Sequence, residues 1–143
     1  MRNTLSIIVL CMGMIACSHS QTEKKTDNLQ EKKDMVEVLY FHGAQRCKTC
    51  KAIEQNTMKI IESNYTDKIN TGKLVFKSVD LTQEKELAKK YEVSWSSLFV
   101  IDYDSNGNES IQNLTEFAFA TACNAPDKFK SGLSEQLTKM LND

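Results

Sequence analysis

From residue 36 onward, the apolar positions switch between unbroken runs and helical stripes, and each switch marks an element. Val36-Glu37-Val38-Leu39-Tyr40-Phe41 is almost continuously apolar and reads as a buried strand. His42-Gly43-Ala44-Gln45-Arg46 is a turn. Residues 47–65 then carry Ile53, Thr57, Ile60 and Ile61 at i, i+4, i+7 and i+8, one face of a helix. Leu74-Val75-Phe76-Lys77-Ser78-Val79 is a second strand, ended by Asp80. Thr82 is placed to cap a helix over 83–91, with Leu87, Ala88 and Tyr91 facing inward. Residues 97–102 form a third strand. Asp104-Ser105-Asn106-Gly107-Asn108 is a strong turn signal, and residues 109–114 return as a fourth strand. Residues 114–123 form a short irregular or helical piece whose Phe117 and Phe119 cover the sheet. Ala125-Pro126-Asp127 opens a last helix with Phe129, Leu133, Leu137, Met140 and Leu141 on one face.

The order is strand–helix–strand, then helix, then two strands and a helix. The first unit predicts parallel neighbours with a right-handed crossover, and the hairpin adds an antiparallel pair. The expected fold is α/β, one four-stranded mixed sheet with helices on both faces. A chain of 143 residues has room for one such domain.

The first 34 residues follow a different pattern. Met1-Arg2-Asn3 is a short basic start, and residues 5–16 are an apolar run too short to span a bilayer. The run ends Met14-Ile15-Ala16-Cys17-Ser18, which resembles a bacterial lipobox, with Met14 its less usual residue. Residues 1–16 are therefore expected to be a lipoprotein signal peptide, with Cys17 lipidated. Secretory cleavage near Ala16 without lipid is the alternative. Residues 17–34 are polar, mixed in charge and without apolar period, and read as a flexible tether of roughly 20–25 Å. The folded domain is expected over 35–143, membrane-anchored through the lipid alone and outside the cytoplasm of a bacterium. A net charge of −1 and the lack of a long basic block argue against a nucleic-acid partner.

The candidate chemistry lies in the cysteines. Of five, Cys11 falls in the signal and Cys17 takes the lipid, leaving Cys47, Cys50 and Cys123. Cys47-Lys48-Thr49-Cys50 sits where a strand hands over to a helix. Thiols at i and i+3 share one face of a first helical turn, where a disulfide can form and break. The helix N-terminus favours a thiolate at Cys47, and Arg46, Lys48 and Lys51 add positive charge around it. Cys47 is the expected attacking thiol and Cys50 the resolving one. Zinc would want four ligands, and one CxxC with His42 falls short. His42 is expected to be a turn histidine satisfied by backbone. Lys51 ends a rare variant of the haem-attachment motif, whose usual last residue is histidine. No metal or cofactor beyond the Cys47–Cys50 disulfide is expected. Cys123 is expected to be a small buried residue, and Trp95 to pack in the core or at its rim.

This element order, with CxxC after the first strand, resembles the thioredoxin superfamily. Four local patterns resemble one branch more closely: Tyr40-Phe41-His42-Gly43, Arg46-Cys47-Lys48-Thr49-Cys50, Ser96-Ser97-Leu98-Phe99 and Leu114-Thr115-Glu116-Phe117-Ala118-Phe119. Together they are similar to small thioredoxin-fold proteins of the ArsF type. That family is named as a subunit of reductase systems acting on nitrophenyl compounds, including nitro-aromatic arsenicals. The resemblance implies a thioredoxin-like fold, a redox-active CxxC and a protein redox partner. Nitro reduction by such a subunit alone would need an electron source such as a flavin, and the chain carries no flavin-binding signature.

Against thioredoxins, two departures stand out. Ser97 falls where they carry a cis-proline that helps grip extended peptides, so general peptide binding is in doubt and a trans bond is expected. Ser96 and Ser97 are either contacts to the thiols or a partner, or ordinary turn serines. Thioredoxins also bury an acid beneath the site, and here Tyr40 or Phe41 takes that place, with Glu37 expected to stay outside. Lys48-Thr49 matches neither the Gly-Pro pair of thioredoxin nor the Pro-His pair of the strongly oxidising periplasmic members, and sets no redox direction. The expected function is a membrane-tethered thiol–disulfide oxidoreductase or electron relay. An accessory subunit of a dedicated redox system and a metal- or metalloid-binding lipoprotein are the alternatives.

Overall fold

A computed structural model describes residues 32–142. The expected signal peptide, Cys17 and nearly all of the tether lie outside the described residues. β1 (Met35–His42) is the organising strand, because Val36 through Phe41 are all buried. A strand buried on both faces must sit inside a sheet, and β1 does. It pairs in parallel with β2 (Leu74–Asp80) and antiparallel with β3 (Ser97–Tyr103). β4 (Glu109–Asn113) closes the other edge against β3, giving the order β2-β1-β3-β4.

Alternation along β1 divides the core in two. Val36, Val38 and Tyr40 face the side covered by α1 (Lys48–Asn64), α4 (Thr115–Thr121) and α5 (Pro126–Asn142). There Ile53, Ile60 and Ile61 of α1 meet Phe129, Leu133 and Leu137 of α5. Leu39 and Phe41 face the other side, where α3 (Lys85–Lys90) lies. Phe41, Tyr91 and Phe99 meet edge to face there, with ring centroids 5.7–6.2 Å apart. One mixed sheet with helices on both faces, in this strand order, is the thioredoxin-like fold.

Some local details differ from expectation. Thr82 does not cap a helix over 83–91. Its backbone N–H and hydroxyl both donate to the Asp80 carboxylate, at 2.8 and 2.7 Å, so the chain turns first. α3 then begins only at Lys85, without a side-chain cap. A short helix α2 (Thr66–Asn70), which the apolar pattern did not signal, joins α1 to β2. Residues 114–123 are helical at α4, tied to the sheet where the Leu98 N–H donates to the Thr115 hydroxyl at 3.1 Å. The turn before β4 forms as expected. The Asp104 carboxylate accepts from the backbone of Asn106 and Asn108, and Gly107 takes φ +83°.

Glu37 is a larger correction. It is buried, at 5% exposure, instead of staying outside. Its carboxylate accepts from the Tyr103 hydroxyl at 3.0 Å and from Lys32 Nζ at 2.5 Å, which offset the cost of burying a charge. It shares the parity of Leu39 and Phe41, so it lies on the α3 side of the sheet and not beneath the cysteines.

Gly132 in mid-α5 has a packing reason. A Cβ there would lie 2.4 Å from Cζ of Phe117, whose ring stacks on Phe129 with centroids 5.9 Å apart. Phe117 therefore packs α4 onto α5. Gly132→Ala is expected to lower stability by about 1–2 kcal/mol, an overpacking cost partly offset by the better helix propensity of alanine. Urea unfolding checks this, and an unchanged or higher midpoint would mean that Phe117 swings aside freely.

Candidate active site

The dithiol forms where the C-terminal end of β1 turns into α1. Cys47 is the N-cap residue, with extended backbone (φ −69°, ψ 169°). Its Sγ accepts the backbone N–H of Cys50 at 3.1 Å. One of the helix's unpaired amide donors is thereby aimed at the sulfur. The Cys47 carbonyl starts the helical ladder by accepting from Lys51 N–H. Helix α1 thus begins one residue later than the apolar stripe alone predicts. Both cysteines are thiols; Cys47 is exposed and Cys50 is buried.

Cys50 rests on two hydroxyls. Tyr40, fully buried, donates its hydroxyl to the Cys50 carbonyl at 2.8 Å. The Cys50 thiol lies 3.8 Å from the Ser96 Oγ, a sulfur hydrogen bond. Burial pushes the Cys50 thiol up. Hydrogen bonds from the Cys47 side chain and backbone, from Ser96 and from Tyr40 outweigh it and hold the thiol below its usual range. Burial, then the neighbouring Cys50 charge, pushes the Tyr40 phenol well above its ordinary value, so it is a donor at any working pH. Of the two candidates for the place beneath the cysteines, Tyr40 takes it. Phe41 points to the other face.

The two serines divide their roles. Ser96 is half-buried and touches the Cys50 sulfur. Ser97 is buried and donates to the Trp95 carbonyl at 3.1 Å, as a turn serine does. Trp95 itself is 67% exposed and is neither core nor rim. It precedes Ser96 directly, and the same backbone turn that places Ser96 against Cys50 leaves the indole in solvent.

Arg46 is not a loose cation beside Cys47. Its guanidinium pairs with Glu54 and lies over the Tyr40 ring, 5.8 Å from the centroid. Glu54 also accepts from the Ser78 hydroxyl of β2. Its positive charge is thus largely compensated by an acid two turns along α1, which a reading confined to the motif overlooks. Lys48 and Lys51 are exposed, and Thr49 is half-buried. His42 has its Nδ1 3.0 Å from the Gly43 carbonyl, which satisfies it locally. Cys123 is half-buried just past α4, less enclosed than expected. Among the described residues, no group of three or more His, Cys, Asp or Glu is placed to hold a metal ion. No helix among them is long and apolar enough to cross a membrane. A cavity of about 430 Å³, lined by Asp34, Met35, Lys73, Tyr103 and Asp104 among others, lies at the opposite end of the sheet.

No family model matches the chain, and no curated protein matches it. Among solved structures, the chain is similar to a thioredoxin of Fasciola hepatica at 21% identity, covering 76% of this chain and 83% of that one, with a TM-score of 0.49. It is similar to a Malassezia sympodialis thioredoxin at 18% identity, covering 73% and 77%, TM-score 0.47. Mitochondrial thioredoxin 3 of Saccharomyces cerevisiae is 17% identical, with coverage of 73% and 81% and a TM-score of 0.43. Each is a likeness; the strand order and pairing above define the fold on their own.

The Arg46–Glu54–Ser78 cluster has a pH signature. Burial raises the Glu54 carboxyl, but hydrogen bonds from Ser78 and Arg46 prevail and hold it below its ordinary 4.5. A depressed carboxyl stabilises the folded state above that ordinary value. The contribution fades as pH falls from about 4.5 through the lower folded pKa. Glu54→Gln is expected to flatten this part of the acid limb of stability against pH. Unfolding midpoints between pH 6 and 2 check it; an unchanged limb would refute the pairing.

Proposed function

We propose that this protein is a membrane-tethered thiol–disulfide oxidoreductase or electron relay working through Cys47 and Cys50. The observation that carries this reading is the asymmetry of the pair. One sulfur is exposed at a helix N-cap and accepts an amide hydrogen, and its partner is buried one turn further in against two hydroxyls.

The chemistry follows from that asymmetry. The Cys47 thiolate attacks one sulfur of a partner disulfide, forms a mixed disulfide and expels the partner's other sulfur as a thiolate. Cys50 then attacks Cys47, closes the intramolecular disulfide and releases the second partner thiol. Two electrons pass to the partner, and a reducing dithiol restores the pair; the same steps in reverse oxidise a partner. The lipid on Cys17 supplies the tether in this reading. The chain enters the domain at Met35 and the dithiol follows His42, so the length of β1, about 23 Å, separates entry from chemistry. The dithiol thus lies at the end of β1 opposite the one that residues 32–34 lead into.

A second reading is favoured by Trp95. An exposed indole next to the residue that touches Cys50 is the kind of aromatic anchor that dedicated interfaces use. With Ser97 where extended peptides would be gripped by proline, the protein would be an accessory subunit of one redox system, such as a nitrophenyl-compound reductase, with little activity alone.

Redox titration against a dithiol probe is expected to cycle the Cys47–Cys50 pair reversibly, and Cys47→Ser to abolish turnover. Turnover that survives the substitution would reject the mechanism. A Cys50→Ser trap separates the two readings. One stoichiometric partner captured through Cys47 favours the dedicated subunit, and a broad spread of partners favours the general oxidoreductase. If Trp95 anchors the partner, Trp95→Ala is expected to raise the KM for that partner about tenfold or more, and an unchanged KM would remove the anchor.

A further inference from the structure

The resolving thiol poses a problem that the proposed chemistry leaves open. Cys50 must lose its proton before it attacks, yet it is buried. Among the described residues, no carboxylate hydrogen-bonds to it. Glu37, the buried acid of β1, faces the opposite side of the sheet, and Glu54 is held by Arg46 and Ser78. What does lie against Cys50 is a pair of neutral hydroxyls from two different strands' ends. Tyr40 comes from β1 and Ser96 from the residue before β3.

We propose that these two hydroxyls manage the proton and charge of the resolving thiol, with Tyr40 steadying Cys50 from beneath and Ser96 passing its proton outward. The inference rests on the thiol–disulfide reading above. Tyr40 is a positioning residue in this scheme. Its ring is locked in the core, and its hydroxyl is fixed on the first turn of α1 by the 2.8 Å bond to the Cys50 carbonyl. Held there, it fixes the turn that carries the thiol, so that the sulfur keeps its place against Ser96 as charge develops. Ser96 is half-buried and its hydroxyl lies against the sulfur, a position from which a proton can be handed towards solvent. A hydroxyl can accept one proton while giving up another, which suits a relay and not a store.

The step balances with water as the final proton acceptor. The Cys50 S–H proton goes to the Ser96 oxygen as the serine proton leaves to water. The Cys50 thiolate then attacks the Cys47 sulfur of the mixed disulfide. The Cys47–Cys50 bond forms, the bond from Cys47 to the partner breaks, and the electron pair leaves on the partner's sulfur, which takes a proton from solvent. After Cys47, Ser96 and Tyr40 are the groups that lower the proton affinity of Cys50. The other charged or titratable groups nearby are Cys47 at the N-cap, Lys48 and Lys51 on the exposed side of the same turn, and Arg46 over the far side of the Tyr40 ring, paired to Glu54. The His42 ring lies 6.0 Å from that of Tyr40. None of these stands between Cys50 and the two hydroxyls.

The test uses the full chain with a chromogenic aromatic thiol linked to Cys47 as a mixed disulfide. Release of the aromatic thiol reports attack by Cys50, and its rate is followed against pH. In the native chain the rate is expected to rise with pH and level off above the Cys50 midpoint. Tyr40→Phe keeps the ring and removes the donor, and Ser96→Ala removes the relay. Each is expected to move the midpoint up by about one pH unit and to slow release near neutrality about tenfold. Ser96→Ala is a small change at a half-buried position and keeps the test open if Tyr40→Phe folds poorly. Unshifted midpoints in folded variants would overturn the inference and leave the thiol–disulfide reading standing. No release from the native chain would end both.

Discussion

The parity of β1 is the constraint on which the rest depends. An eight-residue strand buried on both faces sends alternate side chains to two separate cores. A slip of one residue would exchange the two sets completely. With the observed register, Tyr40 points towards α1 and its hydroxyl meets the first helical turn. Phe41 points away into the aromatic cluster with Tyr91 and Phe99. The same alternation sends Glu37 to the α3 side. Pairing on both edges of β1 holds this register: Tyr40 lies opposite Ser78 on β2 and Leu98 on β3. The geometry of the dithiol is therefore fixed from beneath by sheet pairing, well before its own residues are considered.

From above, the helix end makes the two sulfurs different. Cys47 caps the helix and stays in water, and Cys50 sits inside the first turn. A symmetric pair would have no built-in order of attack; here only Cys47 of the two is exposed. The cations nearby contribute less to this than their number suggests. Arg46 is committed to Glu54 and to the Tyr40 ring, so it braces the underside of the site. Lys48 and Lys51 remain as exposed charges, which salt screens and which steer a partner more than they alter a thiol.

Much of this was legible in the chain. The order of elements, the buried first strand, the stripe of Ile53, Thr57, Ile60 and Ile61, and the CxxC at a strand–helix junction all follow from local periodicity. What periodicity leaves out is pairing between distant residues. Thr82 has the right chemistry for a cap, but Asp80 two residues earlier competes for the same groups and wins. Glu37 looks misplaced in an apolar strand until Lys32 and Tyr103 are brought to it, the second from 66 residues away. Arg46 is read as free because Glu54 lies eight residues on and Ser78 on another strand. Ser96 and Ser97 are adjacent and identical, and only the turn decides which faces the sulfur. Trp95 is expected to be covered because large aromatic residues usually are, and the turn before β3 leaves it in solvent instead. A signal did exist for Gly132: a glycine inside a strong helical stripe asks for a close neighbour, and Phe117 is that neighbour.

The placement of the buried acid bears on the character of the site. A carboxylate beneath a thiol pair would repel a thiolate and could take up a proton itself, so the two groups would titrate together. In this chain the buried acid, Glu37, is on the far face, where Tyr103 and Lys32 satisfy it. Tyrosine fills the space beneath Cys50 with a group that stays neutral and only donates. A neutral donor to the Cys50 carbonyl braces the turn without adding a second titration. The sheet register therefore decides more than where the sulfurs lie. By sending the acid to one core and the phenol to the other, it decides what kind of proton chemistry can operate beneath them.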